Sequence, residues 1–218
     1  MNDLITTTGM VIAGYDHMEY DKRLVVLTSD LGRITVFARG VRRQNSKFIG
    51  MTDPFAFGEF KVFAGKNAYN LSDIRITNYF ESIRQDMELM CYASYFADLA
   101  GYCVRENMDG REILLLLYRS LQALGTESID NRLIRAVYEL RMVQENGLYP
   151  GIPERALLGG TARAMDHIVS SGIKDIYSFK VKEDVEAELS DIADEYRKRY
   201  IQGNFRSLDV MRELGYCR

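Results

Sequence analysis

The chain is poor in the residues that build metal centres and most catalytic sites. Two histidines (His17, His167) and three cysteines (Cys91, Cys103, Cys217) are scattered over 218 residues. No Cys-x-x-Cys pair occurs, and neither histidine has ligand-type spacing to a cysteine or carboxylate, so a four-ligand zinc site is not expected. An odd number of widely spaced cysteines fits reduced thiols in a cytoplasm rather than a disulfide scaffold. Long apolar runs are missing as well. The longest, Ile113 to Tyr118, is about a third of the roughly 20 residues a membrane helix needs. The start, Met1-Asn-Asp-Leu-Ile, lacks the basic and apolar segments of a secretory signal. Internal repeats and low-complexity tracts are absent. A cytoplasmic protein with neither membrane segment nor cofactor is the expectation.

Signals for catalysis are equally sparse. Ser29, Ser46 and Ser94 lie in no nucleophile elbow, and Gly159-Gly160 alone does not make a phosphate loop. Glu19 and Asp21 sit in a polar connection, where solvated acids normally lie. A hydrolase or transferase is the remotest reading, and a non-enzyme is expected.

What the chain does have is a basic cluster in an acidic setting. Apolar content of 47% and charged content of 27% are those of a globular protein, and the net charge is −3. The stretch from Asp30 to Lys47 nevertheless holds Arg33, Arg39, Arg42, Arg43 and Lys47, with no acid after Asp30. Residues 1–80 carry ten Lys/Arg and eight Asp/Glu, so the acidic balance belongs to the rest of the chain. Local cationic charge on an acidic protein indicates a directed contact with a polyanion.

Hydropathy divides the chain into an α+β protein. Thr6 to Tyr15, Leu24 to Thr28, Arg33 to Arg39, Pro54 to Ala64 and Ala68 to Ile76 read as five strands, with Ser29–Gly32 a hairpin turn. Five short strands with glycine at the corners suit a closed barrel, which removes sheet edges; a small open sandwich would give a similar pattern. From about Phe80 the period changes to three and four. Leu89, Tyr92, Phe96, Leu99 and Cys103 form one helical stripe, and Leu133, Val137 and Leu140 another, ended by Gly147 and Pro150. Arg111 to Leu124 is apolar nearly all round and reads as the central helix of a bundle. Residues 151–160 read as a linker, Thr161 to Ser171 as a short helix and Val185 to Tyr200 as the last long one. A barrel over residues 1–80 and a helical domain over 81–218 are expected.

Two candidate binding sites follow. Alternation on Arg33 to Arg39 puts Arg33, Thr35, Phe37 and Arg39 on one face and Ile34, Val36 and Ala38 in the core. Arg39, Arg42, Arg43 and Lys47 can hold phosphates with help from Arg33, and Phe37 can stack on a base, unless it is itself a core residue beside a merely solvated loop. In the helical half, Arg132, Arg135 and Arg141 accompany Leu133, Val137 and Leu140. Such a groove could accept an acidic peptide with an aromatic end, although exposed helical arginines are common.

The motifs Thr8-Gly-Met-Val11, Glu19-Tyr-Asp21, Leu27-Thr-Ser-Asp-Leu-Gly32, Ala38-Arg-Gly-Val-Arg-Arg43, Ser46-Lys47 and Pro54-Phe55 resemble, in order and spacing, the first domain of the RecO family of bacterial recombination mediators. Tyr92-Ala-Ser-Tyr95, Tyr138-Glu-Leu140 and Asn204-Phe-Arg-Ser-Leu208 resemble its helical landmarks. The resemblance implies an oligonucleotide-binding (OB) barrel followed by an all-helical domain. It also implies binding of single- and double-stranded DNA, strand annealing, nucleoid association, and work with RecR to load RecA onto strands covered by single-stranded-DNA-binding protein, whose acidic tail docks on the helical domain. Two departures stand out. Leu148 to Gly160 lacks the four-cysteine zinc site of many relatives, so no metal is carried over. Ala136 and Val137 precede Tyr-Glu-Leu where relatives carry the tail-binding arginine, which leaves Arg135 as the nearest substitute. The rival reading is a protein-interaction adaptor whose barrel has lost useful DNA affinity.

Overall fold

Five strands, β1 (Leu4–His17), β2 (Asp21–Thr28), β3 (Arg33–Ala38), β4 (Phe57–Ala64) and β5 (Tyr69–Asn78), form the first part of the chain in a computed structural model that describes residues 4–126 and 128–217. They close in the order β1-β2-β3-β5-β4, with β1 pairing β4 through its first half and β2 through its second. This is the five-stranded barrel of the OB-fold. A bulge at Ile12 lets the 14-residue β1 bend between its two partners. The register runs Leu4–Phe63–Asn70–Phe37–Arg23–Tyr15, so one circuit of the barrel returns to β1 eleven positions further along. Such a stagger requires strongly tilted strands. The alternation expected for β3 holds: Ile34, Val36 and Ala38 are buried, and they pack with Val11, Leu24, Val26, Phe60 and Val62 inside the barrel.

Seven helices follow among the described residues: α1 (Glu81–Arg84), α2 (Met87–Cys103), α3 (Arg111–Ala123), α4 (Asn131–Glu145), α5 (Gly159–Ser170), α6 (Glu183–Tyr200) and α7 (Arg206–Glu213). The four-residue α1 is too short to show a periodic stripe, and α7 buries Leu208 and Met211 on one face. The central helix is α4, not α3. Every residue from Leu133 to Val143 is buried, whereas α3 exposes Arg111, Glu112 and Gln122. Hydropathy misleads here because α4 buries its charges in pairs. Arg135 Nε lies 3.2 Å from Glu139 Oε1, and Arg141 Nε lies 2.7 Å from Glu145 Oε1. Phe96 stacks on Tyr138 at 4.3 Å, and the Tyr138 hydroxyl donates to the Phe96 carbonyl at 2.7 Å. Helix α4 ends as its sequence suggests. Gly147, at φ +71°, donates to Gln144 O, and Leu148 N donates to Val143 O, satisfying the last carbonyls.

The chain divides into two compact units, and the division is not a single cut. One comprises residues up to Glu81 together with Ala100–Leu114; the other comprises Ser82–Leu99 and residues from Leu115 onward. Residues 100–114 join the barrel because the β2–β3 hairpin holds them. Arg33 N donates to Arg105 O, Asn107 N to Leu31 O and Gly110 N to Ser29 O.

Candidate nucleic-acid interface

The outer face of the barrel carries a row of aromatic and cationic side chains set by strand register. Tyr15 on β1 is paired with Arg23 on β2, and Arg23 with Phe37 on β3. The Arg23 guanidinium lies 4.8 Å from the Tyr15 ring centroid, and the His17 ring lies against Phe37 at 5.0 Å. Tyr15 is 51% exposed and Phe37 half-buried, so Phe37 belongs to the outer face rather than the core. A cation laid over an aromatic face, with open ring surface beside it, offers stacking area and charge together.

The basic loop, residues 39–56, rises beside this row. Its own apolar residues pin it: Val41 is buried, and Phe48 and Met51 pack against the barrel core. Gly40, at φ +65°, starts the turn, and its N–H donates to Asp21 Oδ1 at 2.8 Å. The cations are left at the surface in different states. Arg39 is exposed and has no polar or charged partner among the described residues. Arg43 has no carboxylate partner among them and lies over the Tyr20 ring at 5.5 Å. Arg42 pairs with Asp16 at 3.1 Å and donates to Glu19 O at 3.3 Å, tying the loop to the β1–β2 connection. Lys47 pairs with Asp73 at 2.9 Å, and that ammonium holds the Asp73 carboxyl below its usual range. A shallow hollow of about 460 Å³ runs between Lys22, Arg42, Arg43, Ile49, Thr52 and Asp53, with Lys22 paired to Asp53 at 3.0 Å.

Arg33 stands apart from the other basic residues. It starts β3, at the end opposite Arg39, and donates to the Gly101 carbonyl near the end of α2. Tyr15, Lys22 and Arg23 join the surface although no local motif singles them out, and Tyr20 joins it from the Glu19-Tyr-Asp21 motif. Counting outward from the 18–20 connection along the β1–β2 hairpin would have paired Tyr15 with Arg23, and that was the available signal.

The three arginines of α4 do not line one groove. Arg141 turns inward and donates from Nη1 to the carbonyls of Ile168 and Ser171, both at 2.9 Å, closing the end of α5. Arg135 is only 6% exposed. Arg132 is exposed but shared by Asp130 at 3.3 Å and Glu186 at 3.4 Å. The hollow that Arg132 and Arg135 line, about 300 Å³, also holds Glu183, Glu186, Asp191 and Asp194. Its carboxylates outnumber its cations, because α6 brings an acidic face there that the α4 sequence alone does not reveal.

Among the described residues, no three His, Cys, Asp or Glu side chains group as a metal site, and no helix is long and apolar enough to cross a membrane. Comparison with known proteins decides the family. Residues 1–80 match the family described as Recombination protein O N terminal, and residues 84–159 match Recombination protein O C terminal. The chain belongs to the RecO family. A DNA repair protein RecO of Acetivibrio thermocellus is 25% identical over 243 residues, covering 96% of this chain and 97% of the relative. One from Listeria monocytogenes is 30% identical over 185 residues, covering 81% and 72%. One from Clostridium perfringens is 30% identical over 144 residues, with 66% of this chain matching 58% of that RecO. RecO membership makes the chain a protein of DNA repair and recombination.

Proposed function

We propose that the chain acts as a non-catalytic mediator that holds DNA on the barrel face, with single strands stacked on Tyr15 and Phe37 and phosphates held by the loop. The observation that carries this reading is the juxtaposition of exposed aromatics bearing cations with Arg39 and Arg43, which no carboxylate among the described residues neutralises. Arg42 and Lys47 contribute less, since each must leave a carboxylate before it meets a phosphate. Duplex DNA engages the same cations without the stacking. Strand annealing, RecR, RecA loading and the tail of single-stranded-DNA-binding protein come with the family resemblance, and Arg132 is the cation that α4 leaves at the surface for such a tail.

A salt titration of binding to a labelled single-stranded oligonucleotide tests the reading. Each phosphate contact on a single strand contributes about 0.7 to the log–log salt slope. Arg39→Ala/Arg43→Ala is expected to lower the slope by about 1.4, and adding Arg42→Ala and Lys47→Ala to lower it by less again. Tyr15→Ala/Phe37→Ala is expected to weaken single strands roughly tenfold or more at an unchanged slope, because stacking contributes about 1–3 kcal/mol per base. An unchanged slope in the quadruple variant removes the loop from the DNA site. Absence of any salt-dependent binding by the unsubstituted protein favours the adaptor reading.

A further inference from the structure

The basic loop of the barrel also presents an aliphatic side chain to solvent. Phe48 and Met51 pack against the barrel core, and Thr52 is buried. Between these anchors Ile49 is 61% exposed, and Gly50, at φ +76°, turns the chain with open space around it. Ile49 N donates to Ser46 O at 3.4 Å and Met51 N to Phe48 O at 3.0 Å, closing the turn before and after the apex. Burial of its neighbours therefore holds Ile49 out, and a β-branched side chain has few rotamers in which to fold back.

The surroundings of Ile49 are cationic. It lines the hollow with Lys22, Arg42 and Arg43, and the Lys47 ammonium lies 4.7 Å from the ring centroid of Phe48, the residue before it. The one lining carboxylate, Asp53, is paired with Lys22. Arg42 pairs with Asp16, the residue after Tyr15, so the hollow adjoins the stacking row. A lone aliphatic beside three cations lacks the charge-depleted core of a protein interface. It suits a polyanion that can offer an apolar gap, and the space between two stacked bases is such a gap.

We propose that Ile49 is a wedge that enters the base stack where duplex DNA meets single strand and opens the last base pair. The proposal rests on the DNA-binding reading of the barrel and adds to it a preference for junctions over plain duplex of equal charge. The cations hold the backbone beside the opened step, and Ile49 exchanges water for the face of an unstacked base. A junction costs least to open, because its last pair has a paired neighbour on one side only. The freed strand then meets Tyr15 and Phe37 on the adjoining row.

The test uses the full chain and a DNA hairpin that carries a single-stranded thymidine tail, with 2-aminopurine in the last base pair before the tail. This base brightens when it leaves the stack. Saturating protein is expected to raise its fluorescence, Ile49→Ser to lose that rise and Ile49→Met to retain it. Anisotropy of labelled oligothymidine should agree within about twofold among the three proteins, because neither substitution changes a charge. An equal rise with the unsubstituted protein and with Ile49→Ser overturns the proposal and leaves Ile49 to a protein contact. No rise at saturation, with oligothymidine binding intact, overturns it too and spares the barrel reading. Loss of both the rise and oligothymidine affinity in Ile49→Ser would assign the residue to holding the loop, not to opening the pair. If the unsubstituted protein binds no oligothymidine, both readings fall.

Discussion

Replacing Arg135 by alanine is expected to destabilise the helical unit rather than simply remove a surface cation. Glu139 is wholly buried. Its Oε1 accepts from the Tyr95 hydroxyl at 2.6 Å and lies 3.2 Å from Arg135 Nε, while Oε2 has no partner among the described residues. Burial alone would favour loss of the Arg135 proton, but the charge of Glu139 together with Cys217, Tyr95 and Asp194 outweighs it and holds the guanidinium above its ordinary range. Each faces the other as its ion-pair partner inside the helical unit. Removing one partner of such a pair costs about 3–5 kcal/mol, because a buried charge is left without its counter-charge. Glu139→Gln in the Arg135→Ala background removes that charge and keeps an acceptor for Tyr95, so it should recover part of the loss. Chemical denaturation of the four proteins of the double-mutant cycle reads the coupling directly. A cost below about 1 kcal/mol for Arg135→Ala, or simple additivity of the two changes, would show that Glu139 is not held as a buried carboxylate. The stability measurement must also precede any peptide titration with Arg135 variants, since a weakened helical unit would imitate a lost contact.

Two further outcomes follow from single positions. Gly32 has φ +68°, and a Cβ there would collide with the Arg105 carbonyl oxygen; Gly32→Ala should cost more than the ~1–2 kcal/mol of a left-handed residue and raise amide exchange at residues 105–110, and normal exchange there would refute the close approach. Burial pushes the Asp194 carboxyl up, but the hydrogen bonds and charges of Lys198 and Arg197 together outweigh this and leave it below the ordinary value. Its contribution to stability is thus complete above the unfolded pKa of about 4 and is lost as pH falls through the lower folded value. Asp194→Asn should flatten the acid limb of the stability profile in that window, and an unchanged limb would show that the cluster does not bind the proton as described.

The chain's own residues settle a good deal. Alternation on Ile34, Val36 and Ala38 reveals a strand with one buried face, and the spacing of Leu89, Tyr92, Phe96 and Leu99 reveals a helix, because both patterns are local consequences of backbone geometry. The acid-free run from Leu31 to Lys47 likewise marks, by its composition alone, a surface that attracts anions. What each cation does there was decided by tertiary structure. Arg42 and Lys47 meet Asp16 and Asp73, 26 residues away in each case, while Arg39 meets no carboxylate among the described residues; such pairings depend on strand register and loop path. The same reason moved the centre of the helical unit from α3 to α4. Periodicity scores a charged residue as exposed, yet Glu139 and Arg135 are buried because they sit one turn apart and Tyr95 reaches them from another helix. Local sequence fixes which face a residue takes on its own element, and only the packed elements determine whether its charge meets water, a neighbour or a ligand.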